Sequence, residues 1–322
     1  MQHITDSMVD SLVTAQAAQT VLHDAFCAFG LGQAAMQARI RTDVGPIKLS
    51  TLGAVIPTQG WVGAKVYTTI EGQFNFVILL FSIETGLPVA TFDAASITRL
   101  RTAACSTLVA RQLARPDSKV LGLFGAGTQG IEHAGQLSQT FGLEQLLVHD
   151  PYMPDEKLKQ LSDLCGIAVR TALPEEIAAS ADIIVTASRS TVPLFSGISL
   201  KQGTFIAAIG SSLPYTRELD DTTLSRASAI VVEWKPQSQC EAGDLVLADP
   251  SIDVGQKTVE IAQVLSGQTK RCSADDIYLY KSVGVGLEDI ALAGYAYQRF
   301  EQVHGTPERA DRSGSSKTHL VD

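Results

Sequence analysis

Three glycines, Gly125, Gly127 and Gly130, punctuate the stretch KVLGLFGAGTQGIEHAG over residues 119–135. In that spacing the first allows a tight turn, the second lets backbone approach a pyrophosphate, and the third permits close packing of a helix on a strand. Thr128 and Gln129 stand between them, where a new helix offers unsatisfied N–H groups and a positive dipole end to phosphate. Bare glycine-rich turns also join strands to helices without holding any ligand, so the context decides. That context is Asp150, which closes the next apolar run, QLLVHD. An acid at this point is placed to accept hydrogen bonds from the adenosine ribose hydroxyls and repels a 2′-phosphate. The segment HDPYMPDEK brings no arginine to reverse that preference. NAD(H) is therefore favoured, with NADP(H) as the alternative; a solvated turn is the plainer role open to Asp150.

The elements around this turn must form a parallel sheet for the reading to hold. KVLGLF reads as a strand, QGIEHAGQLSQTF as a helix and QLLVHD as a strand, and ADIIVTA, TFIAAIG and AIVVEW are further short apolar runs. Such alternation implies a doubly wound parallel sheet covered by helices on both faces. The preceding third of the chain has another texture. TAQAAQTVLHDAFCAFGLG reads as an amphipathic helix capped by Thr14 and stopped at Gly30. FNFVILLFSIETGLPVATF reads as a β-hairpin turning at Glu84-Thr85-Gly86, and ASITRLRTAACSTLVARQLARP as a helix with Pro116 beyond its end. Near the C-terminus, a glycine-rich turn precedes an apolar-faced helix, and TPERADRSGSSKTHLVD reads as a polar tail.

Composition narrows the functions. With 322 residues the chain can bury two cores, and 45% hydrophobic and 18% charged residues are those of a globular protein. A formal net charge of −9 argues against a nucleic-acid or anionic-membrane surface. The five cysteines, at 27, 105, 165, 240 and 272, show no CxxC or Cys/His ligand spacing, so neither disulfides nor a metal site is expected. No run reaches the roughly 20 apolar residues of a membrane span, and the N-terminus shows no signal-peptide pattern. A cytoplasmic location is expected.

With these pieces placed, the chain resembles the ornithine cyclodeaminase/mu-crystallin family over nearly its full length. The matching segments are RTDV with GAKVYTT, RLRTAACSTLVARQLARPDSKVLGLFGAGTQG, IGSSLPYTRELDD, and CEAGDL followed by YKSVGVGLEDIALA. The resemblance implies an α/β protein: a Rossmann-type, doubly wound domain over residues 117–290, and an α+β substrate and dimerisation domain over 1–116 joined by 291–322. It also implies a homodimer. By the same resemblance Arg41 is similar to the first arginine that meets a substrate carboxylate, Arg101 to the second, and Lys65 to the active-site lysine. Arg39 rivals Arg41, since both flank one isoleucine. Thr102, Thr186, Ser188 and Ser282 are expected as further cofactor contacts.

The types suit the chemistry. A bidentate guanidinium matches a planar carboxylate better than an ammonium does, and Arg101 is expected near its helix start, where the dipole adds attraction. A partly desolvated lysine trades protons near neutrality. His23, His133 and His149 are read as structural, and Cys105 as a small core residue.

One departure separates the reactions within the family. Its cyclodeaminases carry an aspartate in a G-x-D-x-P-G segment, whereas here Gly210-Ser211-Ser212-Leu213-Pro214 puts Ser212 at that position. A serine hydroxyl orients water or donates one hydrogen bond, but without an activating partner it is no carboxylate base. The SLPYTREL segment resembles the ketimine reductases. The expected activity is NAD(P)H-dependent reduction of a cyclic α-imino acid, Δ1-pyrroline-2-carboxylate or Δ1-piperideine-2-carboxylate, to the L-amino acid. Two alternatives stay open. One is a cyclodeaminase or alanine-type dehydrogenase whose acid comes from elsewhere, such as Glu71 or Asp43. The other is a non-catalytic nucleotide binder.

Overall fold

The computed structural model describes residues 1–305; the polar segment 306–322 lies outside the described residues. Two sheets organise the chain. The first has seven strands, β1 (Gln2–Ile4), β2 (Ala35–Met36), β3 (Ile40–Val44), β4 (Ile47–Ile56), β5 (Trp61–Ile70), β6 (Gln73–Ser82) and β7 (Pro88–Asp93). Their order is β1-β7-β6-β5-β4-β2, with β3 also on β4. Only β1 and β7 run parallel in this sheet.

Alternation explains which face is covered. In β6, Ile78 and Leu80 are fully buried while Val77, between them and the strand start, is 48% exposed. The β6–β7 hairpin expected around Glu84-Thr85-Gly86 is present, with Gly86 at φ 68°. Between β5 and β6 the chain turns on Glu71 and Gly72, both with positive φ, as a two-residue hairpin requires. The inner face is covered by the C-terminal helix Gly286–His304, which packs on β4, β5 and β6 and against the helix Ala15–Gly30. Thr14 caps that latter helix as expected, its side chain accepting from the Ala17 N–H. The helix ends at Gly30, as expected, and a Cβ there would come 2.8 Å from Ala262.

The second sheet has eight strands, all parallel: β8 (Val120–Phe124), β9 (Gln145–His149), β10 (Ala168–Thr171), β11 (Ile183–Thr186), β12 (Phe205–Ala208), β13 (Ala227–Val232), β14 (Thr258–Glu260) and β15 (Ile277–Lys281). The order is β10-β9-β8-β11-β12-β15-β13-β14. Its first five strands run 3-2-1-4-5 outward from the glycine turn, which is the Rossmann arrangement. β15 enters between β12 and β13, so the sequence IYLYK is buried on both faces. The helix Ala95–Leu113 links the sheets and is buried along most of its length.

Candidate active site

The glycine turn lies at the C-terminal end of β8, leading into the helix Thr128–Thr140. Gly125 has φ 90°, and a Cβ there would lie 2.7 Å from the Ala187 carbonyl oxygen. A Cβ on Gly130 would fall 2.0 Å from the Gly125 oxygen, so helix and turn cross without room for a side chain. Gly127 meets nothing within 4 Å, and as N-cap it supplies no side-chain acceptor to the helix N–H groups. Gly127 and Thr128 are exposed beside that opening. Asp150, at the end of β9, accepts the Ala126 N–H at 2.8 Å through one oxygen and the Tyr152 N–H at 3.0 Å through the other. Open backbone at an uncapped helix start, steadied by a carboxylate, fits a dinucleotide phosphate and its ribose.

Two expected contacts are engaged otherwise. Thr186 is fully buried and its hydroxyl donates to Glu218 at 2.8 Å, so its side chain is not available to a cofactor. Ser188 donates to the same carboxylate through both N–H and hydroxyl. Glu218 also accepts the Gly210 N–H, and Asp244 accepts the Glu218 and Leu219 N–H groups while pairing with Lys281 at 2.8 Å. These buried groups fix the loop that presents Ser212.

Beside the turn is a cavity of about 250 Å³. Its walls bring together Lys65, Arg101, Thr102, Gln129, Ser212 and Ser282, residues distant in sequence. Ser282 lines the space with its hydroxyl donated to Glu233 at 2.5 Å, and Thr102 donates to the Thr98 carbonyl. Tyr67, Phe74 and Phe76 form an aromatic wall on the inner face of β5 and β6; the Phe74 and Phe76 rings are stacked with centroids 5.8 Å apart.

Arg39, not Arg41, lines this cavity. The two residues share parity across one isoleucine, so both reach Glu241, at 2.6 and 2.5 Å. Depth separates them: the Arg39 side chain is 5% exposed and that of Arg41 24%. Arg39 also donates to the Val283 and Gly284 carbonyls in the wall, while Arg41 donates to the Ser212 carbonyl. Of the two rival arginines, Arg39 is therefore the one in the cavity wall. Glu71 and Asp43 do not line the cavity; the first sits in the β5–β6 hairpin turn and the second is exposed on β3.

Arg101 pairs with Glu288 at 2.6 Å and lies 3.5 Å from Asp289. It is well inside the helix that begins at Ala95, beyond the first turn where a dipole acts. Its charge is held by carboxylates rather than by the helix end: burial opposes ionisation, but Glu288 and Asp289 raise its pKa above the ordinary value. Gly284, with φ 74°, leaves room for the guanidinium, since a Cβ there would lie 2.6 Å from it.

Lys65 donates to Thr98 Oγ1 at 2.5 Å and to Asp289 Oδ1 at 3.1 Å. Burial lowers its pKa to about 8; Asp289 opposes the shift, and Arg101 and Arg39 add to it. Burial likewise raises Glu288 to about 8 against the pull of Arg101. Four buried polar atoms of wall residues lack a hydrogen-bond partner: Nε of Arg39 and of Arg101, Oε1 of Gln129 and Oδ2 of Asp289. The space therefore offers guanidinium donors for an anion and acceptors for an N–H.

Glu288 and Asp289 are the residues that sequence reading left without a role. Adjacent acids in the first turn of a helix look like ordinary dipole partners; only burial beneath Arg101 and Lys65 gives them another use. Among the described residues, no group of three or more His, Cys, Asp or Glu side chains is placed to hold a metal ion, and no helix is long and apolar enough to cross a membrane.

The ornithine cyclodeaminase/mu-crystallin family model matches residues 2–304. The crystal structure of a probable ornithine cyclodeaminase from Bordetella pertussis Tohama I is similar with TM-score 0.94 at 62% identity, covering 95% of this chain and 99% of that one. Δ1-Pyrroline-2-carboxylate reductase from Thermococcus litoralis, solved with NADH and L-proline, has TM-score 0.89 at 26% identity, covering 95% and 98%. A Δ1-pyrroline-2-carboxylate reductase from Bacillus cereus is 30% identical over 253 residues, 76% of this chain and 75% of that protein.

Proposed function

The chain belongs to the ornithine cyclodeaminase/mu-crystallin family, and from that premise we propose that it reduces a cyclic α-imino acid to the L-amino acid with NAD(H). Δ1-Pyrroline-2-carboxylate is the leading substrate and Δ1-piperideine-2-carboxylate the next. One observation carries the reading: Arg39 and Arg101, each with a buried Nε–H that makes no hydrogen bond, line the same cavity as Lys65.

A planar carboxylate accepts from guanidinium donors at fixed geometry, so Arg39 and Arg101 hold the acid end of the substrate. Lys65 then delivers a proton to the imine nitrogen, and a pKa of about 8 leaves its ammonium populated yet acidic enough to give that proton up. Tyr67, Phe74 and Phe76 cover the apolar edge of the ring and exclude water. Ser212 orients the ring nitrogen or a water. The glycine turn, with Thr128 and the N-terminus of its helix, would hold the pyrophosphate, and Asp150 the ribose hydroxyls. When bound, the nicotinamide supplies the hydride that the imine carbon accepts.

Ornithine cyclodeamination is the second reading. It is favoured by the likeness to the probable ornithine cyclodeaminase of Bordetella pertussis and by Asp289, a carboxylate in the cavity wall with one oxygen that makes no hydrogen bond. Against it stand Ser212, at the position where the family's cyclodeaminases carry an aspartate, and the aromatic side of the cavity formed by Tyr67, Phe74 and Phe76. The discriminating assay offers NADH or NADPH with cyclic imines, pyruvate with ammonia, and L-ornithine. Cyclic imine turnover supports reduction. Ammonia release from ornithine without net cofactor oxidation sinks it, and silence on every substrate with tight cofactor binding points to a binder.

A homodimer is part of the same proposal. Ile47, Leu49, Val55, Val66, Ile70 and Val77 lie on the outer face of β4–β6, and each is more than a third exposed. A contiguous apolar face of this kind marks an association surface. Sedimentation should give a dimer that Leu49→Asp weakens; a monomer in the unaltered protein contradicts it.

A further inference from the structure

Lys65 has two firm acceptors, and their arrangement leaves one of its protons for the cavity. An ammonium carries three N–H donors. One goes to Asp289 Oδ1 at 3.1 Å and one to Thr98 Oγ1 at 2.5 Å. Thr98 donates its own proton to the Ala94 carbonyl at 2.6 Å, so toward Lys65 its hydroxyl acts only as an acceptor. The third N–H is left on the side of the Phe76 ring, whose centroid is 4.4 Å from Nζ and which forms part of the cavity wall. Asp289 is fully buried, so water does not compete for its contact with Lys65, and Thr98 is partly buried.

We propose that Thr98 and Asp289 are positioning residues that aim a single Lys65 N–H at the imine nitrogen. The inference rests on the reductase reading above and goes beyond it by assigning roles to two side chains that touch the lysine rather than the reacting atoms. In the step itself, the Lys65 N–H bond breaks and a nitrogen–hydrogen bond forms on the substrate. The imine carbon gains two electrons with the hydride, and Lys65 is left as a neutral amine. Asp289 takes no part in the transfer and keeps that amine in place until solvent returns the proton. The charged groups facing Lys65 are Asp289, which favours its ammonium, and Arg101 and Arg39, which disfavour it; Glu288 is paired to Arg101 behind them.

The signs follow from that set. Removing the Asp289 charge while keeping its shape lowers the lysine pKa, because the two arginines remain. Asp289→Asn should therefore move the alkaline limb of reductive kcat downward by on the order of one pH unit or more. Thr98→Val should lower kcat about tenfold or more, with NADH affinity within about twofold, because aim rather than binding is lost. Thr98→Ser, which keeps the acceptor, should recover most of the rate.

The experiment measures kcat, KM and NADH dissociation for these three variants across pH 6–10 with Δ1-pyrroline-2-carboxylate. A shifted limb in Asp289→Asn, or, where that variant does not fold, a rate lost in Thr98→Val and recovered in Thr98→Ser, supports the proposal. An unmoved limb, or equal losses in rate and cofactor affinity with no recovery in Thr98→Ser, overturns it while leaving the reductase reading intact. Absence of imine reduction in the unaltered protein overturns both.

Discussion

Lys65 and Asp289 stand 224 positions apart in the chain, yet Nζ and Oδ1 lie 3.1 Å from each other with both side chains buried, 3% and 0% exposed. One comes from the inner face of β5 and the other from the first turn of the C-terminal helix that covers it. The two ends of the chain therefore have to meet before the proposed proton donor has its environment.

A pH profile follows from that environment. Burial brings Lys65 to about 8, and reduction uses its protonated form. Reductive kcat should stay level below that pH and fall about tenfold per unit above it; amine oxidation, which uses the neutral amine, should rise through the same point. Lys65→Met should cut turnover by roughly 10²–10⁴ with NADH affinity little changed. Equal losses in turnover and affinity would remove the role assigned to this side chain.

The two neighbouring arginines should separate cleanly in kinetics. Arg39→Ala should lower kcat/KM by roughly 10- to 150-fold, the range of a charged hydrogen bond, because its guanidinium lines the cavity. Arg41→Ala should have a smaller effect, exerted through Glu241 and the Ser212 carbonyl. A larger loss for Arg41 would restore the expectation drawn from the sequence.

Cofactor choice turns on Asp150. The carboxylate already accepts the Ala126 N–H within the glycine turn, so Asp150→Ala should weaken NADH binding while narrowing or reversing its preference over NADPH. Titration of both cofactors by fluorescence checks this, and an unchanged ratio would take away the argument for NAD(H).

Much of this was readable before any coordinates. The spacing of Gly125, Gly127 and Gly130, the capped helix after Thr14 and the β6–β7 hairpin are local signals, written in turn chemistry and alternation. What could not be read was convergence. Arg39 and Arg41 have the same parity, and no pattern says which one faces inward. Thr186 ends a strand where cofactors bind, but its hydroxyl is taken by Glu218 from 32 positions away. Strand β15 was hidden because a short run buried on both faces carries no alternation. Glu288 and Asp289 carry no local signal of a site, and only the fold places them against Arg101 and Lys65.

The account is tested most directly by a crystal structure of the protein with NAD⁺ and L-proline. The carboxylate should lie between the guanidinium groups of Arg39 and Arg101, with the ring nitrogen within hydrogen-bond reach of Lys65 Nζ and the α-carbon facing the nicotinamide. A carboxylate bound elsewhere, with both arginines still turned only to Glu241, Glu288 and Asp289, would contradict it.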